Sequence, residues 1–119
     1  MSRKLRERSR KPRRSDGVPG LETGGPAMVV TLATWELALP GSGSLKDKRS
    51  VLRSLKDRLS RKNVSVAESG LQDHRGRARI SVVFLAAHSA QADSILASVD
   101  RMVASARGAV VIANSSERL

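Results

Sequence analysis

"MVVTLATWELALPGSGSLKDKRSVLRSLKDRLSRK", residues 28–62, changes its hydrophobic period once, and that change decides the fold. In its first twelve residues Ala33, Trp35, Leu37 and Leu39 alternate with Thr34 and Glu36, as on a strand covered on one face. "PGSG" at 40–43 then breaks the chain. Ser44, with Asp47 three residues on, makes a capping-box-like start for a helix from Leu45 to about Lys62. At about 100° per residue Leu45, Val51, Leu52, Leu55 and Leu59 fall in one apolar stripe, and Lys46, Arg49, Arg53 and Lys56 form a continuous row beside it. This helix has a core face and a cationic edge.

The same reading extends downstream. "NVSVAE" at 63–68 is a short strand, "SGLQDHRG" a loop, and "RARISVVFLAAH" at 77–88 a strand in which Ile80, Val82 and Phe84 oppose Arg77, Arg79 and Ser81. Ser89 is the expected N-cap of a second helix, in which Ile95, Leu96, Val99, Met102 and Val103 keep helical spacing until Gly108 ends it. "AVVIA" at 109–113 gives a last short strand and "NSSERL" a polar tail.

The order β-α-β-β-α-β predicts an α+β, ferredoxin-like sandwich. A four-stranded antiparallel sheet, strand order 4-1-3-2, carries both helices on one face. Alternation assigns Val30, Leu32, Thr34, Glu36, Ser65, Ala67, Arg75, Arg77, Arg79 and Ser81 to the open face. The topology also gathers Ser42, Ser44, Lys46, Lys48, Arg49, Glu68, Gln72, Asp73 and His74 at one edge. Lys48 is anomalous because its helical angle lies inside the apolar stripe. A partly buried ion pair with Glu68 at the end of the second strand explains it.

Composition narrows the function classes. The chain holds 22 Lys and Arg against 11 Asp and Glu, a formal charge of +11, which points to anionic partners. Residues 1–27 carry 8 basic and 3 acidic side chains and show no periodicity; they are expected to be a disordered basic extension. Their role stays open between an arm for nucleic acid and a solvated extension read from a start upstream of Met28. Residues 28–119 form the one expected domain. The absence of cysteine excludes disulfides and thiolate chemistry and fits a reducing, cytoplasmic location. Neither export nor a membrane span is expected, since no apolar run follows the basic start and no run of about 18 apolar residues exists. Between the anionic candidates, nucleic acid and a membrane surface, the expected partner is RNA and not a membrane.

Chemical motifs are incomplete. "PGSGS" before the capped helix has the ingredients of an anion site but lacks phosphate-loop spacing, so phosphate binding and a plain cap both remain readings. His74 and His88 are the only histidines and stand far apart, and no metal site is expected. No nucleophile completes a catalytic set around His74 and Asp73, so neither catalytic residues nor cofactors are expected. The row Lys46, Arg49, Arg53, Lys56, extended by Lys48, is the candidate nucleic-acid contact, against a reading as a solvated face. Ser44, Glu68, Gln72, Asp73 and His74 form a candidate edge site. Arg75, Arg77 and Arg79 are candidate open-sheet contacts, against a charge ladder with Glu36. Base stacking is not expected, because Trp35 and Phe84 are both assigned to the core.

From Met28 to about Ile112 the chain resembles the small bacterial YlxP-like proteins, a domain of unknown function of the DUF503 type. The motifs that carry the resemblance are "SLKDKR" at 44–49, "VLRSLKDRL" at 51–59, "NVSVAE" at 63–68 and "QD" at 72–73. It implies a ferredoxin-like fold with no recognised catalytic residues or cofactor and, through the association of such genes with translation and ribosome-maturation factors, a role near the ribosome. The expectation is therefore a non-enzymatic protein binding RNA or a ribosomal particle through the first helix and the adjacent edge loop. The alternative is a protein-interaction or homodimer module.

Overall fold

The computed structural model describes residues 28–119; the expected disordered extension at 1–27 lies outside the described residues. The elements are β1 (Val29–Ala38), α1 (Leu45–Ser60), β2 (Ser65–Gly70), β3 (Arg77–Ala86), α2 (Ser89–Ala104) and β4 (Val110–Arg118). They build one antiparallel sheet in the order β2-β3-β1-β4, the expected ferredoxin-like arrangement. Burial alternates along β1 and β3. Trp35, Leu37 and Leu39 of the first strand region and Ile80, Val82 and Phe84 of β3 meet Leu52, Leu55 and Leu59 of α1 and Val99 and Val103 of α2. Each such side chain taken out of water contributes roughly 1.5–3 kcal/mol before entropy is counted.

Both helices begin with the same device. Ser44 Oγ accepts from the Asp47 N–H at 3.1 Å, while Asp47 Oδ2 accepts from the Gly43 N–H at 3.2 Å. In α2 the cap is His88, not the expected Ser89: its Nδ1 accepts from the Gln91 N–H at 3.2 Å, and Gln91 Oε1 accepts from the Ala87 N–H at 2.7 Å. A ring nitrogen placed like a serine hydroxyl satisfies the same orphan donor. α2 ends at Ala104, four residues before Gly108. Gly108 serves the turn into β4 instead, with φ of 81° and Val51 Cγ2 only 3.2 Å from where a Cβ would stand.

The largest departure is β4. Rather than stopping at Ala113, it continues through the polar "NSSER", pairing Asn114 with Trp35 and Arg118 with Thr31, after a bulge opposite Glu36 and Leu37. The cause is non-local: β1 is central, and its second edge offers a row of N–H and C=O groups that only β4 reaches. Arg118 then ties the strand to α2 through an ion pair with Asp93 and a hydrogen bond to Ser89 Oγ at 3.2 Å. β2 likewise runs two residues past its expected end, with a bulge between Glu68 and Gly70.

Candidate functional site

The cap at Ser44 fixes where α1 starts and hence which of its side chains point outward. Leu52, Leu55, Leu59 and, among them, Lys48 face the core. Lys46, Arg49 and Arg53 are exposed and Lys56 is half-buried, in a row along the flank turned away from α2. The opposite flank faces α2, where Arg58 donates to Ser105 Oγ at 3.2 Å.

Lys48 is 2% exposed, and its environment accounts for the anomaly in the apolar stripe. Its ammonium stands 3.1 Å from Glu68 Oε2, the ion pair expected from the sequence. It also donates to the carbonyls of Leu71 at 2.6 Å and His74 at 2.7 Å, with the Gln72 carbonyl at 3.4 Å. Four acceptors share three N–H groups, so Glu68 Oε2 is neutralised by charge without an aligned hydrogen bond. Leu71 sits at φ 62°, a left-handed conformation unusual for leucine, and its carbonyl makes the shortest of these contacts. Residues 70–75 are thus wrapped around one buried cation. Lys48 was expected among the nucleic-acid contacts; it is not available to a phosphate, because it is sealed and its donors are spent.

The rest of the edge site is drawn into the same knot. Gln72 Nε2 donates to the Glu68 carbonyl at 3.3 Å, and His74 Nδ1 accepts from the Gly76 N–H at 3.2 Å, turning the imidazole back on its own loop. Ser44 is committed to the α1 cap, and Asp73 is exposed in the loop. The five residues share one corner, but what holds it together is backbone carbonyls around Lys48.

On the open sheet face, Glu36 binds both arginines of β3: Oε2 lies 3.4 Å from Arg77 Nη1 and Oε1 lies 3.6 Å from Arg79 Nη2. Arg79 also lies over Gly70, where a Cβ would come within 2.7 Å of its Nη1. Arg75, expected on this face, is instead in the turn before β3. Gly76 C=O accepts from the Leu39 N–H and the β1–β3 pairing begins only at Arg77. Thr34, Ser81 and Ser69 link three strands through hydroxyl contacts of 2.8 Å. The far end of the face is apolar, with Val83 exposed and Leu85 61% exposed.

These pairings sort the cations. Among the described residues Lys48, Arg77, Arg79 and Arg118 have carboxylate partners, whereas no carboxylate lies within ion-pairing distance of Lys46, Arg49, Arg53 or Lys56. Among the described residues most of the cations without a carboxylate partner lie on the helices and their ends, with Arg75 in the loop before β3. Sequence reasoning also missed the indole N–H of Trp35, which donates to Asp100 Oδ1 of α2 at 2.8 Å. Nothing in the local pattern marks a contact between residues so far apart in the chain.

A family model described as "Protein of unknown function (DUF503)" matches residues 30–116. The chain belongs to the DUF503 family. The match runs past Ile112 into the polar half of β4, so the DUF503 domain includes the first part, Asn114 to Ser116, of the segment expected to be a tail. No curated protein matches the chain. No helix among the described residues is long and apolar enough to cross a membrane.

Proposed function

We propose that this DUF503 protein is a non-enzymatic, cytoplasmic binding protein that docks on structured RNA or a ribosomal particle through α1 and the adjoining edge loop, with phosphates met by Lys46, Arg49, Arg53 and Lys56. One observation carries the reading: among the described residues the carboxylates within reach of cations are spent on the sheet, on Lys48 and on Arg118, and none of them pairs with the α1 row. Four phosphate contacts give a log–log salt slope of about −2.8 to −3.6, hence about a 50- to 150-fold loss of affinity between 50 and 200 mM salt. Changing the four residues to glutamate is expected to remove the protein from ribosomal fractions of a low-salt lysate gradient while its circular dichroism stays unchanged. Co-sedimentation that survives both the substitutions and high salt refutes the proposal.

A second reading, a homodimer or protein-interaction module, is favoured by the outer edge of the nine-residue β4, which no other described strand pairs with, by the exposed Val110 and Ile112, and by Leu85 on the open face. It predicts a light-scattering mass that rises with concentration and barely responds to salt.

A further inference from the structure

α1 presents three parallel zones to solvent. Its crest, directly away from Leu52, Leu55 and Leu59, is made of Ser50, Ser54 and Asp57, with the C-cap Arg61 at its end, all exposed. One flank is the row Lys46, Arg49, Arg53 and Lys56. The other, unnoticed in the sequence, is assembled from two elements. Arg58 and Lys62 line a cleft with Arg101 and Ser105 of the α2 end, and Arg107 joins Arg58 in the adjoining cleft over Val51. No carboxylate lines either cleft. Two cationic groups therefore flank a low polar ridge, one along α1 alone and one in the groove that α1 shares with the end of α2.

We infer that the partner is double-stranded, A-form RNA, with α1 laid over the shallow minor groove, one cationic flank on each phosphate strand and the serine crest toward the ribose hydroxyls. This rests on the RNA reading above and narrows it. Three facts select the duplex. The chain's only tryptophan and only phenylalanine, Trp35 and Phe84, are both buried, so no large aromatic is available for unstacked bases. α1 is buried along one side through Lys48, Leu52, Leu55 and Leu59, so between its ends only a crest of short side chains projects, unable to enter the roughly 8.5 Å deep major groove of B-DNA. A wide, shallow groove displaying 2′-hydroxyls suits that relief. Asp57 lies on the crest, over the groove rather than over a strand, where hydroxyl donors face it.

The test is fluorescence anisotropy of the full chain on a labelled RNA duplex of about 16 base pairs. Competitors are the same-sequence DNA duplex and the single RNA strand. Unlabelled RNA duplex is expected to compete at least tenfold better than either. Reversing the second flank with Lys62→Glu, Arg101→Glu and Arg107→Glu, all exposed positions, is expected to weaken duplex binding at least tenfold and to flatten the salt slope. Lys46→Glu with Arg49→Glu does the same from the other side. Equal competition by DNA duplex or single strand overturns the inference. So does an inert second flank beside a sensitive first one, which leaves the RNA reading standing. Indifference to both flanks brings down both.

Discussion

Replacing Lys48 with methionine keeps most of the stem and removes the ammonium. The Glu68 carboxylate, 21% exposed, is then left without a counter-charge, and the carbonyls of Leu71 and His74 lose their donor. Breaking a buried pair from one side costs about 3–5 kcal/mol. The lower end applies, because Glu68 retains some solvent contact and the Gln72–His74 loop is exposed enough to admit water. A loss of about 3 kcal/mol corresponds to a fall in Tm of about 12–24 °C for a domain of this size. Lys48→Met with Glu68→Leu removes the stranded charge and is expected to recover about 1–2 kcal/mol, leaving the carbonyls' share. Urea denaturation followed by Trp35 fluorescence and by circular dichroism measures the parent, Lys48→Met, Glu68→Leu and the double variant, and the double-mutant cycle over these four proteins isolates the pair. If Lys48→Met stays within about 1 kcal/mol of the parent, or the double variant is no better than the single, the buried cation does not organise this corner.

Other expected outcomes follow from contacts described above. Asp100→Ala leaves the buried Trp35 indole N–H without its acceptor and costs about 1–2 kcal/mol by urea denaturation, with a shift in tryptophan emission. Ending the chain after Ala113 strips β1 of its pairing from Thr31 to Trp35 and costs more than about 2 kcal/mol, whereas loss of a mere tail stays within about 0.5 kcal/mol. His88→Leu removes the α2 cap and lowers stability by about 1 kcal/mol in thermal melts, while His88→Asn, which keeps a side-chain acceptor, stays within about 0.5 kcal/mol of the parent.

What could be read from the sequence was whatever has a period. The two-residue alternation around Trp35 and the stripe through Leu52, Leu55 and Leu59 led to the sheet order and the helix faces. Lys48 was legible because it broke a period: a cation at an apolar angle demands an anion, and topology left Glu68 within reach. "NSSER" was not legible, since nothing in its own residues prefers a strand; the requirement came from the edge of β1, some eighty positions earlier. The His88 cap was missed because serine is the better capping residue by propensity and stands next to it. The second cationic flank is distributed over the ends of two helices and the turn after α2, so it forms no pattern along the chain.

The pairing of β1 with β4 bears on how the protein is made. β1 leaves the ribosome early and its second neighbour emerges about eighty residues later, which at 5–20 residues per second is a wait of roughly 4–16 s. Throughout that interval the nascent chain holds a hydrophobic ribbon with one side unclaimed, open to wrong partners and to chaperones. Contacts this remote also slow the final collapse. Slowing translation between codons 39 and 110 should therefore lower soluble yield more than the same delay placed before codon 29.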